Sequence, residues 1–198
     1  MKEPRQIFVE GKLIGEVPTT GDVQKDLEAA TALMRAKGVY KKITAEQVIF
    51  GQAVAFATTA SYLFNNDLLG TPPRNPVSTG PFVVNATFAL ELYLKTLNLL
   101  YGRKVGRSHD LHRLYSALPD EAMQAVRREF STSLPRPASI TDIKAFQTEI
   151  ERVRHAFMEW RYLHERMQTG EVRFPELIYV LNVLHNTCRS DAKLNTSN

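Results

Sequence analysis

The sequence predicts an all-α helical bundle carrying a small N-terminal β-hairpin, and three observations lead there. Between Ala86 and Tyr101 apolar side chains cover most faces of a 3.6-residue helix: Ala86, Leu90, Leu94, Leu97 and Tyr101 on one, Phe88, Leu92 and Leu99 on another. A helix apolar nearly all round is one enclosed by other helices. From Ile143 onward, Phe146, Ile150, Val153, Phe157 and Trp160 recur at spacings of three and four, and the stripe continues through His164 to Met167. Strand-like alternation is confined to the start of the chain, where Gln6 to Val17 reads as two short strands around a turn at Glu10 and Gly11.

An isolated hairpin is marginal, so this one must pack on helices or pair with a second copy. Gly15 weakens its second strand. Asp22 then opens a helix to about Lys37, with Val23, Leu27, Ala30 and Met34 on one face and Gly38 as its stop. Thr44 with Gln47 three residues later makes a capping box for a longer helix running to about Asn66. Its contact face carries Ile49, Ala53, Phe56, Ala60 and Leu63, and the small residues admit a close neighbour. Gly70 to Pro81 holds four prolines and two glycines and is expected to be a surface loop.

The central helix is expected from about Asn85 to Tyr101. One polar stripe survives on it, Thr87, Glu91, Lys95 and Asn98, with Glu91 four residues before Lys95, the favourable order for a helical ion pair. Ser108 is placed to cap a short helix whose Leu111, Leu114, Tyr115 and Leu118 face inward. Pro119 starts the next, which carries Met123, Val126 and Phe130 and is broken near Pro135 and Pro137. One long helix is expected from about Thr141 to Gln168, ended by Gly170. A last one, opened by Phe174 and Pro175, turns Leu177, Ile178, Leu181, Leu184 and Cys188 inward and ends near Arg189. The organisation expected is a hairpin-and-helix appendage over 1–40, a bundle over 41–189 and a disordered tail over 190–198.

Composition narrows the function classes. An apolar fraction of 43% and a charged fraction of 23% are those of an ordinary globular protein. The longest low-charge run, Val48 to Asn66, holds too many polar residues for hydrocarbon, so no membrane span is expected. The first residues, MKEPRQIF, contain no apolar run, and with a single cysteine, Cys188, no internal disulfide or cysteine-based zinc site is available. A cytoplasmic protein is the expectation. No paired Glu-x-x-His units, phosphate-binding Gly-rich loop or Gly-x-Ser-x-Gly elbow occurs, and neither a metal nor a cofactor is expected.

The net charge of +4 is modest but unevenly placed. Arg103, Lys104 and Arg107 crowd the loop after the central helix, Arg127 and Arg128 follow, and Arg152, Arg154, Arg161 and Arg166 share the one late helix. Such clusters are candidate phosphate contacts. For the last group the competing reading is a solvated face, because Glu149, Glu151, Glu159 and Glu165 interleave with it.

The string ELYLKTL, a basic loop, HDLHRLYSALP and a later WRYLHE together resemble the HEPN superfamily over Asn85 to Met167. The resemblance implies a small helical bundle that pairs as a homodimer. It also implies a role with RNA or nucleotide in a toxin, defence or RNA-processing system, either as a metal-independent ribonuclease or as a non-catalytic partner. The family's catalytic signature is an arginine followed four to six residues later by a histidine on a late helix. Here that helix offers Arg154 and His155, with Glu159 where a histidine would stand. The one formal match, Arg103 to His109, lies in the loop, and chance alone supplies roughly one.

An atypical site remains readable from the residues. On the expected long helix Arg154 and Arg161 lie two turns apart on one edge, with His164 and Glu165 beside Arg161, an arginine to hold a phosphate and a histidine to move a proton. The alternative is structural: His164 as a hydrogen-bonded core residue and Arg161 with Glu165 as an ion pair. His109 and Asp110 are expected to dock the short helix. Glu91 and Lys95 either face a cleft between protomers or neutralise each other inside the bundle. A purely structural protein–protein interaction module, with the hairpin as its contact, is the third reading.

Overall fold

The computed structural model describes residues 3–41, 43–162, 171–191 and 194. The chain divides into two compact units, Met1–Ile43 and Thr44–Asn198.

In the first unit, β1 (Arg5–Val9) and β2 (Lys12–Val17) form an antiparallel hairpin. Its turn places Glu10 at φ 50° and Gly11 at φ 78°, the two positive values that a tight two-residue turn needs to match the strand twist. The register slips between Ile7 and Phe8, leaving Ile14 as an extra residue. Gly15 sits at this bulge with φ 151°, and a Cβ there would meet Leu33 at 3.1 Å. Leu33 belongs to α1 (Val23–Ala36), which Asp22 caps by accepting from the N–H groups of Gln24 and Lys25. The packing face of α1 is turned from the expected one: Val23 and Leu27 are 82% and 58% exposed, while Ala29, Ala30, Leu33 and Met34 are half-buried. With the bulge of β2 as the neighbour, Leu33 rather than Leu27 makes the contact.

The second unit is an all-α bundle. Both halves of the Thr44 and Gln47 capping box form at the start of α2 (Ala45–Leu63), which runs on through a turn of π-helix at Phe64–Leu68. Ala53 and Ala60 are fully buried against α3, where small side chains let the two helices approach. The expected loop is shorter than its prolines suggested. A 3-10 turn at Pro76–Ser78 leads directly into α3 (Thr79–Leu100), so Gly80 and Pro81 lie in its first turn, where a missing N–H costs no helical hydrogen bond.

Helix α3 is the core. Fourteen of its residues are buried, and α2, α4 (Leu111–Ser116), α7 (Ala156–Arg161) and α8 (Phe174–Arg189) all pack on it. Helices α5 (Asp120–Thr132) and α6 (Ile143–Arg152) pack on α8. No described helix is long and apolar enough to cross a membrane. Cys188 is fully buried on α8, and burial pushes its thiol well up, as suits a packing residue rather than a nucleophile.

The expected single helix from Thr141 to Gln168 is two helices in its described part, α6 and α7, separated by a turn at 153–155. No proline or glycine causes the break. The N–H of Leu111 takes the carbonyl of Arg154 at 3.2 Å, and Asp110 takes the Arg154 guanidinium, so the turn before α4 holds the chain open there. Arg154 and Arg161 therefore do not share one helix edge. Residues 163–170, with His164, Glu165, Arg166 and Met167, lie outside the described residues, as does most of the expected tail.

Candidate functional site

Two groups of polar side chains hang on the turn between α3 and α4. That turn begins with a helix stop in which the N–H of Gly102 bonds to Leu99 O and the N–H of Arg103 to Asn98 O, with Gly102 at φ 79°. It ends at Asp110, which caps α4 by accepting from Arg113 N at 3.0 Å. The cap is thus Asp110 and not Ser108, whose hydroxyl instead accepts from the N–H of Asp110 at 3.2 Å.

The first group is built on α3. Glu91 is 1% exposed, and its carboxylate accepts from Lys95 Nζ at 2.6 Å and lies 2.9 Å from His109 Nδ1. The polar stripe on this helix faces inward: Thr87 bonds the carbonyl of Val83, and Asn98 is 2% exposed. An ionised carboxylate needs such partners to be tolerated in the interior. The His109 side chain is 48% exposed and stacks on Phe157, with ring centroids 5.9 Å apart. Phe157 in turn stacks on Phe88 and lies 5.7 Å from the Arg161 guanidinium.

Asp110, next along, holds Arg154. Burial pushes the Asp110 carboxyl up, but the hydrogen bonds from Arg154 and from the Arg113 N–H, with the Arg154 charge, outweigh it and keep the group below its ordinary range. Of the residues singled out in the sequence, Glu91, Lys95, His109 and Arg161 are thus linked by direct contacts or through the Phe157 ring, and Asp110 and Arg154 form a second pair at the same turn. His164 and Glu165 lie outside the described residues.

The second group is a concavity of about 430 Å³ between the loop and α4, lined by Arg103, Lys104, Arg107, Arg113, Asn98 and Leu114 among others. The four cations are exposed and have no ion pair among the described residues. Other arginines in the late helices are already engaged. Arg152 lies 3.2 Å from both Glu149 and Glu171, and Arg173 pairs with the same two carboxylates. Sequence reasoning named the three loop cations but missed Arg113, which lines the same concavity from α4. Among the described residues no group of three or more His, Cys, Asp or Glu is placed to hold a metal ion.

No family model, curated protein or solved structure matches this chain.

Proposed function

We propose that this protein is a HEPN-like module associated with RNA or nucleotide, in a toxin, defence or RNA-processing system, that holds phosphates on its basic loop without cutting the chain. The observation that carries this reading is the set of four exposed cations, Arg103, Lys104, Arg107 and Arg113, gathered around one concavity with no carboxylate partner among the described residues. A cation without a protein partner is available to displace counterions from a phosphate. The test is fluorescence anisotropy of a labelled single-stranded RNA with the purified protein in EDTA, followed by a gel. Salt-sensitive binding with intact RNA supports the reading. Absence of binding at low salt removes it.

A second reading, a metal-independent ribonuclease, is favoured by one feature. Glu91 holds Nδ1 of His109, which orients the ring as a carboxylate orients a catalytic base and leaves the other ring nitrogen without a hydrogen bond among the described residues. In this reading His109 takes the 2′-hydroxyl proton and Arg161 holds the phosphate, in place of the set Arg154, Arg161 and His164. RNA cleaved in EDTA by the wild type and left intact by His109→Ala would establish it. The interaction-module reading stands on the hairpin, where Phe8 and Leu13 are 57% and 52% exposed. A homodimer, a protein partner and a cytoplasmic location belong to the same proposal.

A further inference from the structure

The basic concavity contains a feature that a surface for a passing strand does not need. Asn98 lines it and is 2% exposed. Its Nδ2 donates to the carbonyls of Leu94 at 2.8 Å and Leu114 at 3.1 Å, which fixes the carboxamide, and its buried Oδ1 has no hydrogen-bond partner among the described residues. Buried acceptors are nearly always satisfied, so an empty one beside a concavity marks a place for a donor. The four cations have no ion pair among the described residues that would consume them. At the end of α3 the carbonyls of Asn98 and Leu99 are already taken by the backbone N–H groups of Arg103 and Gly102. At about 430 Å³ the concavity has the size of a site for one small ligand.

We propose that this concavity takes the phosphorylated end of a single nucleotide, with the phosphate among Arg103, Lys104, Arg107 and Arg113 and a hydroxyl or amino group of the same nucleotide donating to Asn98. The proposal rests on the RNA- or nucleotide-binding reading above and narrows it to an end rather than a strand. A free nucleoside monophosphate and a terminal phosphate of RNA present the same chemistry. Four cations around one phosphate favour the dianionic terminal group over the monoanionic diester of a continuous chain.

The test uses the full chain at low salt with five probes: one single-stranded RNA bearing a 5′-phosphate, the same RNA bearing a 3′-phosphate, the same RNA with hydroxyl ends, a mixture of free nucleoside monophosphates, and inorganic phosphate. A terminal phosphate is expected to raise RNA affinity at least tenfold. Arg113→Gln should remove that increment, whereas Arg74→Gln, which deletes the same charge from another exposed loop, should keep it, with both variants melting as the wild type does. Nucleoside monophosphates should bind more tightly than inorganic phosphate, and equal affinity would overturn the role given to Asn98. Salt-sensitive RNA binding that ignores the terminal phosphate overturns the end-binding proposal and leaves the broader reading intact. Binding of free nucleotides without RNA supports the concavity as a nucleotide site and removes RNA from the reading. Failure of every probe to bind overturns both.

Discussion

The imidazole of His109 is tied through Nδ1 to Oε2 of Glu91 at 2.9 Å, joining the end of the basic loop to a carboxylate that is 1% exposed in the middle of the central helix. Lys95 holds the other side of that carboxylate at 2.6 Å. Removing one partner of a buried pair leaves an uncompensated charge, whereas replacing both with apolar groups of similar size is often close to neutral. Lys95→Met alone should therefore cost about 3 kcal/mol in urea unfolding, and Lys95→Met with Glu91→Met should cost less than the two single changes summed. Simple additivity would mean that the two side chains are not coupled in solution.

Asp110 does two jobs that variants can separate, capping α4 and holding Arg154 at the break between α6 and α7. Asp110→Asn keeps a capping side chain and should cost less than Asp110→Ala, which loses the cap as well, worth about 1 kcal/mol. Arg154→Ala leaves the cap in place, so its effect and that of Asp110→Asn should overlap rather than add. Thermal unfolding of the single and double variants measures this.

His185 makes stability depend on pH. Burial, and secondarily the charge of Arg189, hold its imidazole below the ordinary value of 6.5, while Nδ1 lies 2.8 Å from the Tyr93 hydroxyl and the ring stacks on Phe50. With the folded-state value depressed, the unfolded chain takes up the proton first, so the contribution is whole above pH 6.5 and is lost as pH falls below it. The melting temperature of the wild type should drop as pH falls below 6.5. His185→Gln, which still offers Tyr93 a hydrogen-bond partner, should flatten that part of the curve. A slope unchanged by the substitution would assign the effect to another group.

What was legible in the sequence was what local chemistry decides. The Glu10 and Gly11 turn, the Thr44 and Gln47 capping box and the Phe174 and Pro175 helix start all depend on residues a few positions apart, and each forms as read. Leu90, Leu94 and Leu97 of α3 and Leu177, Leu181, Leu184 and Cys188 of α8 turn inward as their periodicity predicts. The break at 153–155 was not legible, because the apolar stripe passes through it and its cause, the Leu111 N–H and the Asp110 carboxylate, lies more than forty positions away. The start of α3 was misplaced because Gly80 and Pro81 read as breakers, although a first turn tolerates both. At the site, the polar stripe of α3 and the loop cations were visible, whereas the Glu91 to His109 contact and the approach of Arg113 to the loop exist only once α4 folds back.

Pairing of two copies is expected from the HEPN resemblance. Light scattering at micromolar concentration should return twice the chain mass, and a monomer mass would remove the homodimer from the proposal.

The central claim is that the loop cations hold phosphates, and the salt dependence of RNA affinity tests it most directly. For single strands the logarithm of affinity falls with the logarithm of salt by about 0.7 for each phosphate neutralised. Replacing Arg103, Lys104 and Arg107 together by glutamine should therefore weaken binding at low salt and make the slope shallower, with the melting curve unchanged. A triple variant that binds RNA with the affinity and slope of the wild type would contradict the account.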